Sequence, residues 1–78
     1  MKRIGPPPNA LKVLRASRGV RQIDVSSAAN IQITRYHHIE NGQEPTRSEA
    51  DAIADYFGVA VRALKFRSIQ IEHEAMAS

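Results

Sequence analysis

Apolar residues recur at helical intervals along most of this chain, and turn-forming residues interrupt them. In the segment from Gln22 to Pro45, Ile23, Ala28 and Ala29 can share one helical face, and Asn30 then breaks the pattern. Asparagine is one of the few non-glycine residues that tolerates the left-handed conformation of a tight turn. The pattern therefore predicts a helix that begins at residue 22 and ends just before Asn30.

A second helix follows this turn, over about residues 32 to 41. Ile31 is an apolar plug between the two helices, and Tyr36 and Ile39 mark the buried side of the second one. The helix ends at Asn41-Gly42, where glycine suits a helix C-terminus. Two short helices joined by a turn of three or four residues predict a helix-turn-helix.

Three more helices are predicted around this pair. The first runs from a cap at Asn9 to about Arg18 and turns its leucines inward. Thr46 and Glu49 form a Thr-x-x-Glu capping box that begins a fourth helix, which ends near Phe57. A fifth is expected to start near residue 60 or 61. The predicted fold class is all-α.

The two ends of the chain differ from its middle. Residues 1–8 contain Lys2, Arg3 and three prolines, and are predicted to be a flexible basic arm. Residues 9–66 form the expected helix-turn-helix domain. Residues 67–78 are predicted to be a helical or disordered tail, although the alternation of Ile69 and Ile71 with polar residues also fits a short strand. This tail is the candidate for a dimer contact or for binding a partner protein.

Charge is distributed unevenly along the chain. Residues 1–47 carry a net charge of +5 and residues 48–78 one of −2, which together give the net +3. Positive charge therefore lies in the half that contains the two paired helices, as a surface that faces phosphates requires. The chain has no cysteine, and no stretch of it is typical of a signal peptide or a membrane span, so a cytoplasmic location is expected.

The chain resembles the Cro and phage-repressor (XRE-type) family of helix-turn-helix DNA-binding domains. The resemblance extends from residue 11 to residue 64, and it is carried by Gln22, by Ile39-Glu40-Asn41-Gly42, by Pro45-Thr46 and by Phe57-Gly58-Val59. It implies a compact five-helix lambda-repressor-like domain. It also implies a structural ion pair between Arg15 and Glu40, which joins the first helix to the third.

The resemblance makes the third helix, about residues 32–41, the recognition helix of the domain. Such a helix fits the major groove of DNA, where its first turn meets the base edges. Thr34 can contact a thymine methyl, Gln32 can pair with adenine, and Arg35 can bind a guanine or a phosphate. The predicted base-contacting residues are Gln32, Ile33, Thr34, Arg35 and His38.

Contacts to the DNA backbone are expected from residues around this helix. The predicted set is Gln22, Arg21, His37, Asn41 and Arg47, with His37 alternatively an ordinary solvated side chain. The function expected from the resemblance is sequence-specific binding of double-stranded DNA by a transcriptional regulator, a repressor that forms a homodimer. The alternative is an antitoxin-type module that binds a partner protein through its tail.

Catalytic and metal-binding chemistry is not expected. His37 and His38 are adjacent, so on a helix they point about 100° apart and do not form the i, i+4 pair that binds a metal ion. Ser26 and Ser27 have no histidine base at a motif spacing, and the chain has no phosphate-binding glycine loop. The sequence thus predicts a protein that is not an enzyme and has no cofactor.

Overall fold

The computed structural model describes residues 10–66. These residues form four α-helices followed by one 3₁₀ helix: α1 Leu11–Arg18, α2 Gln22–Ala29, α3 Ile33–Glu40, α4 Arg47–Phe57 and the 3₁₀ helix Val61–Leu64. No β-strand occurs in this part of the chain. The all-α prediction is confirmed. The basic arm, the proposed cap at Asn9 and the tail lie outside the described residues.

The predicted count of five α-helices is not confirmed. The segment where the fifth helix was expected forms a single 3₁₀ turn, Val61–Leu64, closed by a bond from the Lys65 amide to the Arg62 carbonyl at 3.1 Å. Lys65 then adopts a left-handed conformation with φ 60°. A residue in that region cannot continue a right-handed helix, so the helical path ends there.

All four α-helices end in the same backbone motif. In each, a residue of positive φ follows the helix, and the amides at and after this residue bond back to carbonyls of the last turn, as in a Schellman motif. Asn30, with φ 59°, occupies this position after α2, and its conformation is the one expected from the sequence. After three of the helices the next residue is apolar and packs against the core, these residues being Val20, Ile31 and Val59.

The start of α4 is as predicted. The Glu49 amide donates to Thr46 Oγ1 at 3.1 Å, and the Thr46 amide donates to Glu49 Oε1 at 2.9 Å. The helix α1, in contrast, begins at Leu11 without a side-chain cap on the preceding Ala10. The Ala10 amide instead donates to the Leu64 carbonyl at 2.9 Å, which joins the start of α1 to the 3₁₀ helix.

The core lies where the helices meet, and α2 packs against both α3 and α4. Of the three residues that can share one apolar face of α2, Ala29 packs against the core, but Ile23 is 45% exposed and Ala28 is exposed as well. Val25 and Ser26 are buried in their place. Val25 lies about 200° around the helix from Ile23, so the two cannot both face the core. The fully buried side chains of the core are Leu11, Val25, Tyr36, Ile39, Ala50, Ile53, Leu64 and, almost fully, Phe66.

No helix within residues 10–66 is long and apolar enough to cross a lipid bilayer.

Candidate nucleic-acid interface

The helix α3 divides sharply into a buried and an exposed side. Tyr36, Ile39 and Glu40 are buried. The exposed side carries five of the residues predicted to face DNA, and it begins at the residue that precedes the helix: Gln32, Ile33, Thr34, His37 and His38. Ile33 is 40% exposed. The arrangement leaves the first turn of α3 accessible to a partner.

Arg35 does not belong to this exposed side. Its guanidinium donates to both carboxylate oxygens of Glu49, at 3.0 and 2.7 Å, and to the Glu44 carbonyl at 3.1 Å. A bidentate pair of this kind is geometrically specific and stronger than a single bond. Arg35 therefore ties α3 to the first turn of α4, and it would have to give up this pair to bind guanine.

Glu40 is a buried carboxylate at the end of α3, and its side chain is fully inaccessible. Arg15 donates to it from Nε at 2.5 Å and from a terminal nitrogen at 3.3 Å, and Gln22 donates at 2.9 Å. Burial alone would raise the pKa of Glu40, but the hydrogen bonds from Arg15 and Gln22 outweigh it and hold the pKa below its ordinary value. The same carboxylate raises the pKa of Arg15. The carboxylate thus stays ionised and links α1, α2 and α3.

Tyr36 lies beneath this pair. Its hydroxyl is buried and makes no well-formed hydrogen bond in the described part of the chain. Burial, together with the nearby Glu40 carboxylate, raises the pKa of Tyr36. The hydroxyl therefore remains protonated, and the ring contributes to the core rather than to the surface.

A string of polar side chains leads from Glu40 to the surface. Gln22 Nε2 lies 3.4 Å from His37 Nδ1, and the Asn41 amide nitrogen lies 3.3 Å from His37 Nε2 and 2.8 Å from the His37 carbonyl. Asn41 Oδ1 in turn accepts from Lys12 Nζ at 3.2 Å. A neutral imidazole accepts at only one of its nitrogens, so the His37 ring bonds to one of the two amides at a time. The structure thereby brings together three of the predicted backbone-contacting residues.

This geometry agrees with the comparison of the chain with known families. A family model described as a helix-turn-helix domain matches residues 9–65, which is most of the chain. The chain belongs to the helix-turn-helix domain family. No curated protein and no solved structure shows significant similarity to it. Membership is consistent with the resemblance to Cro and phage repressors, and it indicates a DNA-binding protein.

The two remaining predicted contacts of this helix-turn-helix domain are separate from the string. Arg21, immediately before α2, pairs with Asp24 at 3.1 Å, and Arg47, at the start of α4, pairs with Asp51 at 3.2 Å. The Arg21 side chain is 78% exposed and that of Arg47 57%. Exposed ion pairs of this kind contribute little free energy, so either arginine can exchange its partner for a phosphate at small cost.

Sequence reasoning missed the second role of Glu49 and the position of Lys12. Glu49 was assigned to the capping box alone, yet the same carboxylate binds Arg35. Lys12 meets Asn41 across 29 positions of sequence, a distance at which no local pattern signals contact. Within residues 10–66, no group of three or more potential ligands is placed to hold a metal ion.

Proposed function

We propose that this helix-turn-helix protein is a sequence-specific regulator of transcription that binds double-stranded DNA through α3. The observation that carries the proposal is the exposed first turn of α3, whose opposite side is fixed in the core by Tyr36 and Ile39. A helix held in this way can enter the major groove without losing its packing. The base-reading residues are then Gln32, Ile33, Thr34 and His38.

The chemistry of these side chains matches what the major groove offers. The Gln32 amide can donate to adenine N7 and accept from its N6, Thr34 can contact a thymine methyl or hydrogen-bond to a base, and Ile33 can make apolar contact with a thymine methyl. His38 is exposed one turn further along the same side as Thr34. We exclude Arg35 from the base-reading residues because its guanidinium is already bound to Glu49 and to the Glu44 carbonyl.

The surrounding residues suit the phosphate backbone. The helix α2 begins at Gln22, and the backbone amides of its N-terminus carry the partial positive charge that favours a phosphate, while the Gln22 side-chain amide is directed at Glu40 and His37. Arg21 and Arg47 are exposed at the starts of α2 and α4. The net charge of +5 over residues 1–47 favours the approach of DNA to this half of the chain. Repression, a two-fold operator bound by a homodimer, and a cytoplasmic location belong to the same proposal.

Selection of bound sequences from a random duplex pool by the purified protein tests the proposal. We expect an enriched motif that includes adenine and thymine, the bases that suit Gln32, Ile33 and Thr34. The motif should have two-fold symmetry if the protein binds as a dimer. The affinity for the enriched duplex should fall steeply with salt, because bound phosphates release their counterions. A pool that shows no enrichment after repeated rounds, or an affinity indifferent to salt, would contradict the proposal.

A further inference from the structure

Lys12 is a basic residue of α1 that no sequence pattern connects to the DNA-facing surface. It is exposed, and its Nζ donates to Asn41 Oδ1 at 3.2 Å. An ammonium has three N–H donors, and one is used in this contact. Two donors therefore remain for a phosphate oxygen, on a side chain whose position the contact restricts.

Asn41, unlike Lys12, has its side-chain N–H donors directed at other groups of the protein. Phosphate oxygens only accept hydrogen bonds, so a side-chain contact from Asn41 would need one of its two N–H donors. One donates to the His37 carbonyl at 2.8 Å, and the other lies toward the His37 ring, 3.3 Å from Nε2. Both donors thus face back onto α3, and the oxygen faces Lys12. This orientation suits a residue that holds Lys12 better than one that binds DNA itself.

The place of the contact supports the same conclusion. Asn41 follows the last residue of α3, where the helix carries partial negative charge that attracts the Lys12 ammonium. Through His37 the contact continues to Gln22 at the start of α2. Three helices therefore each contribute a side chain to one polar string along the border of the exposed side of α3.

We infer that Lys12 is a phosphate-contacting residue of the DNA-binding surface and that Asn41 is the residue that positions it. This inference rests on the proposed function, and it reassigns the backbone contact that the sequence placed on Asn41. The footprint on DNA then extends from α2 and α3 onto α1. Lys12 is held in place before DNA arrives, and less side-chain freedom is lost on binding than for a free lysine.

Salt titrations of DNA binding test the role of Lys12. We expect Lys12→Gln to reduce the slope of log affinity against log salt by about 0.9, the value for one phosphate contact. Between about 50 and 200 mM salt, the affinity advantage of the wild type should therefore shrink about 3.5-fold. Lys12→Arg should keep the slope, and Lys65→Gln, which removes the same charge from an exposed lysine after the 3₁₀ helix, should leave it unchanged. A Lys12→Gln slope equal to that of the wild type, or an equal loss in Lys65→Gln, would overturn the inference.

A double-mutant cycle tests the positioning role of Asn41. Asn41→Ser should weaken DNA binding several-fold in the wild-type background with the slope preserved, because the lysine charge is present but no longer held. In the Lys12→Gln background the same substitution should have little effect. An equal loss in both backgrounds would mean that Asn41 contacts DNA directly or acts only through the fold, and would overturn its positioning role.

Circular dichroism and thermal unfolding of each variant establish that the exposed substitutions leave the domain folded. Duplex binding by the wild type and the salt dependence of Lys12→Gln then separate the inference from the proposed function. If the wild-type protein binds no duplex, the proposed function and the inference both fall. If it binds with salt-dependent affinity while Lys12→Gln behaves as the wild type does, the inference alone falls.

Discussion

Replacement of Arg15 by methionine should make the stability of this domain depend on pH in a new way. Methionine keeps much of the aliphatic volume of the arginine but removes the guanidinium that contacts Glu40 at 2.5 and 3.3 Å. The Glu40 carboxylate is then left fully buried with Gln22 as its remaining hydrogen-bond donor. Loss of one partner of a buried pair is strongly destabilising because the other charge is stranded.

The size of this penalty follows from the alternative open to Glu40. The side chain can escape the stranded charge by taking up a proton, which at pH 7 costs about 3.4 kcal/mol for a group whose ordinary pKa is 4.5. At pH 5 the same protonation costs less than about 1 kcal/mol. We therefore expect Arg15→Met to lower the free energy of unfolding by about 3 kcal/mol at pH 7. At pH 5 the loss should be only about 0.5 kcal/mol.

Urea unfolding monitored by circular dichroism at several pH values between 5 and 7 measures the effect. In the wild type folding lowers the pKa of Glu40 from its ordinary value of 4.5, so its contribution to stability is nearly constant between pH 7 and pH 5 and is lost only at lower pH. In Arg15→Met folding raises that pKa, so the contribution of Glu40 increases as the pH falls. The difference between the two proteins should shrink toward pH 5, and the Tm difference at pH 7 should be at least about 12 °C.

Two further variants make the test specific. Arg15→Met combined with Glu40→Leu should be more stable at pH 7 than Arg15→Met alone, because the stranded charge is gone. Arg21→Met, which breaks an ion pair whose side chains are 78% and 38% exposed, should change stability far less than Arg15→Met does at pH 7, and about equally at pH 5 and pH 7. An Arg15→Met penalty that is the same at pH 5 and pH 7 would refute the reasoning.

Three other expectations concern α4 and the acidic side chains. Thr46→Ala removes the acceptor for the Glu49 amide and should cost about 1 kcal/mol in chemical unfolding; no loss would mean that the cap is dispensable. Arg35→Met should lower stability by about 1–2 kcal/mol yet leave the order of base preferences unchanged in duplex binding, and a changed order would return Arg35 to the base-reading residues. Wild-type stability should fall as the pH drops below about 4.5, because folding lowers the pKa of both Glu40 and Glu49 and protonation removes their contributions; acid unfolding that is unaffected by Glu49→Gln would contradict the share assigned to that residue.

The parts of the fold that sequence could predict are those with local signals. The bounds of α2 and the left-handed turn at Asn30 were predicted as they occur, because an asparagine between two helical patterns favours one conformation. The start of α4 was predicted because both partners of the Thr46–Glu49 box lie within three residues. In both cases the backbone conformation is determined by residues next to each other in the chain.

Other features depend on contacts that adjacent residues do not signal. In an eight-residue helix such as α2, the periodicity favours two different faces, and only packing against α3 and α4 selects Val25 over Ile23. Arg35 is predicted to contact bases because it lies outside the buried side of the helix, and no local pattern signals its pair with Glu49, 14 residues away. The expected fifth helix ended after one turn because Lys65 takes a left-handed conformation that its residue type does not favour.

The candidate site divides in the same way. The exposure of Gln32, Ile33, Thr34, His37 and His38 follows from the helical period once Tyr36 and Ile39 are known to be buried. The ion pair of Arg15 with Glu40 was expected from the family resemblance, and the two side chains are in contact. Lys12, in contrast, is connected to the DNA-binding surface only by its contact with Asn41, 29 positions away in the sequence, which no local pattern signals.

Base reading by α3 is the central claim, and the affinities of Thr34→Ala and His38→Ala test it most directly. Each variant is titrated against the selected duplex, its single-base variants and a random duplex. Ser48→Ala is the control, because Ser48 is an exposed hydroxyl residue at the second position of α4, as Thr34 is at the second position of α3. We expect each α3 variant to lose about 1–3 kcal/mol on the selected duplex and to relax preference at one or two base pairs, while the control keeps the wild-type affinities. If both α3 variants keep the wild-type order of all single-base variants, α3 does not read the bases.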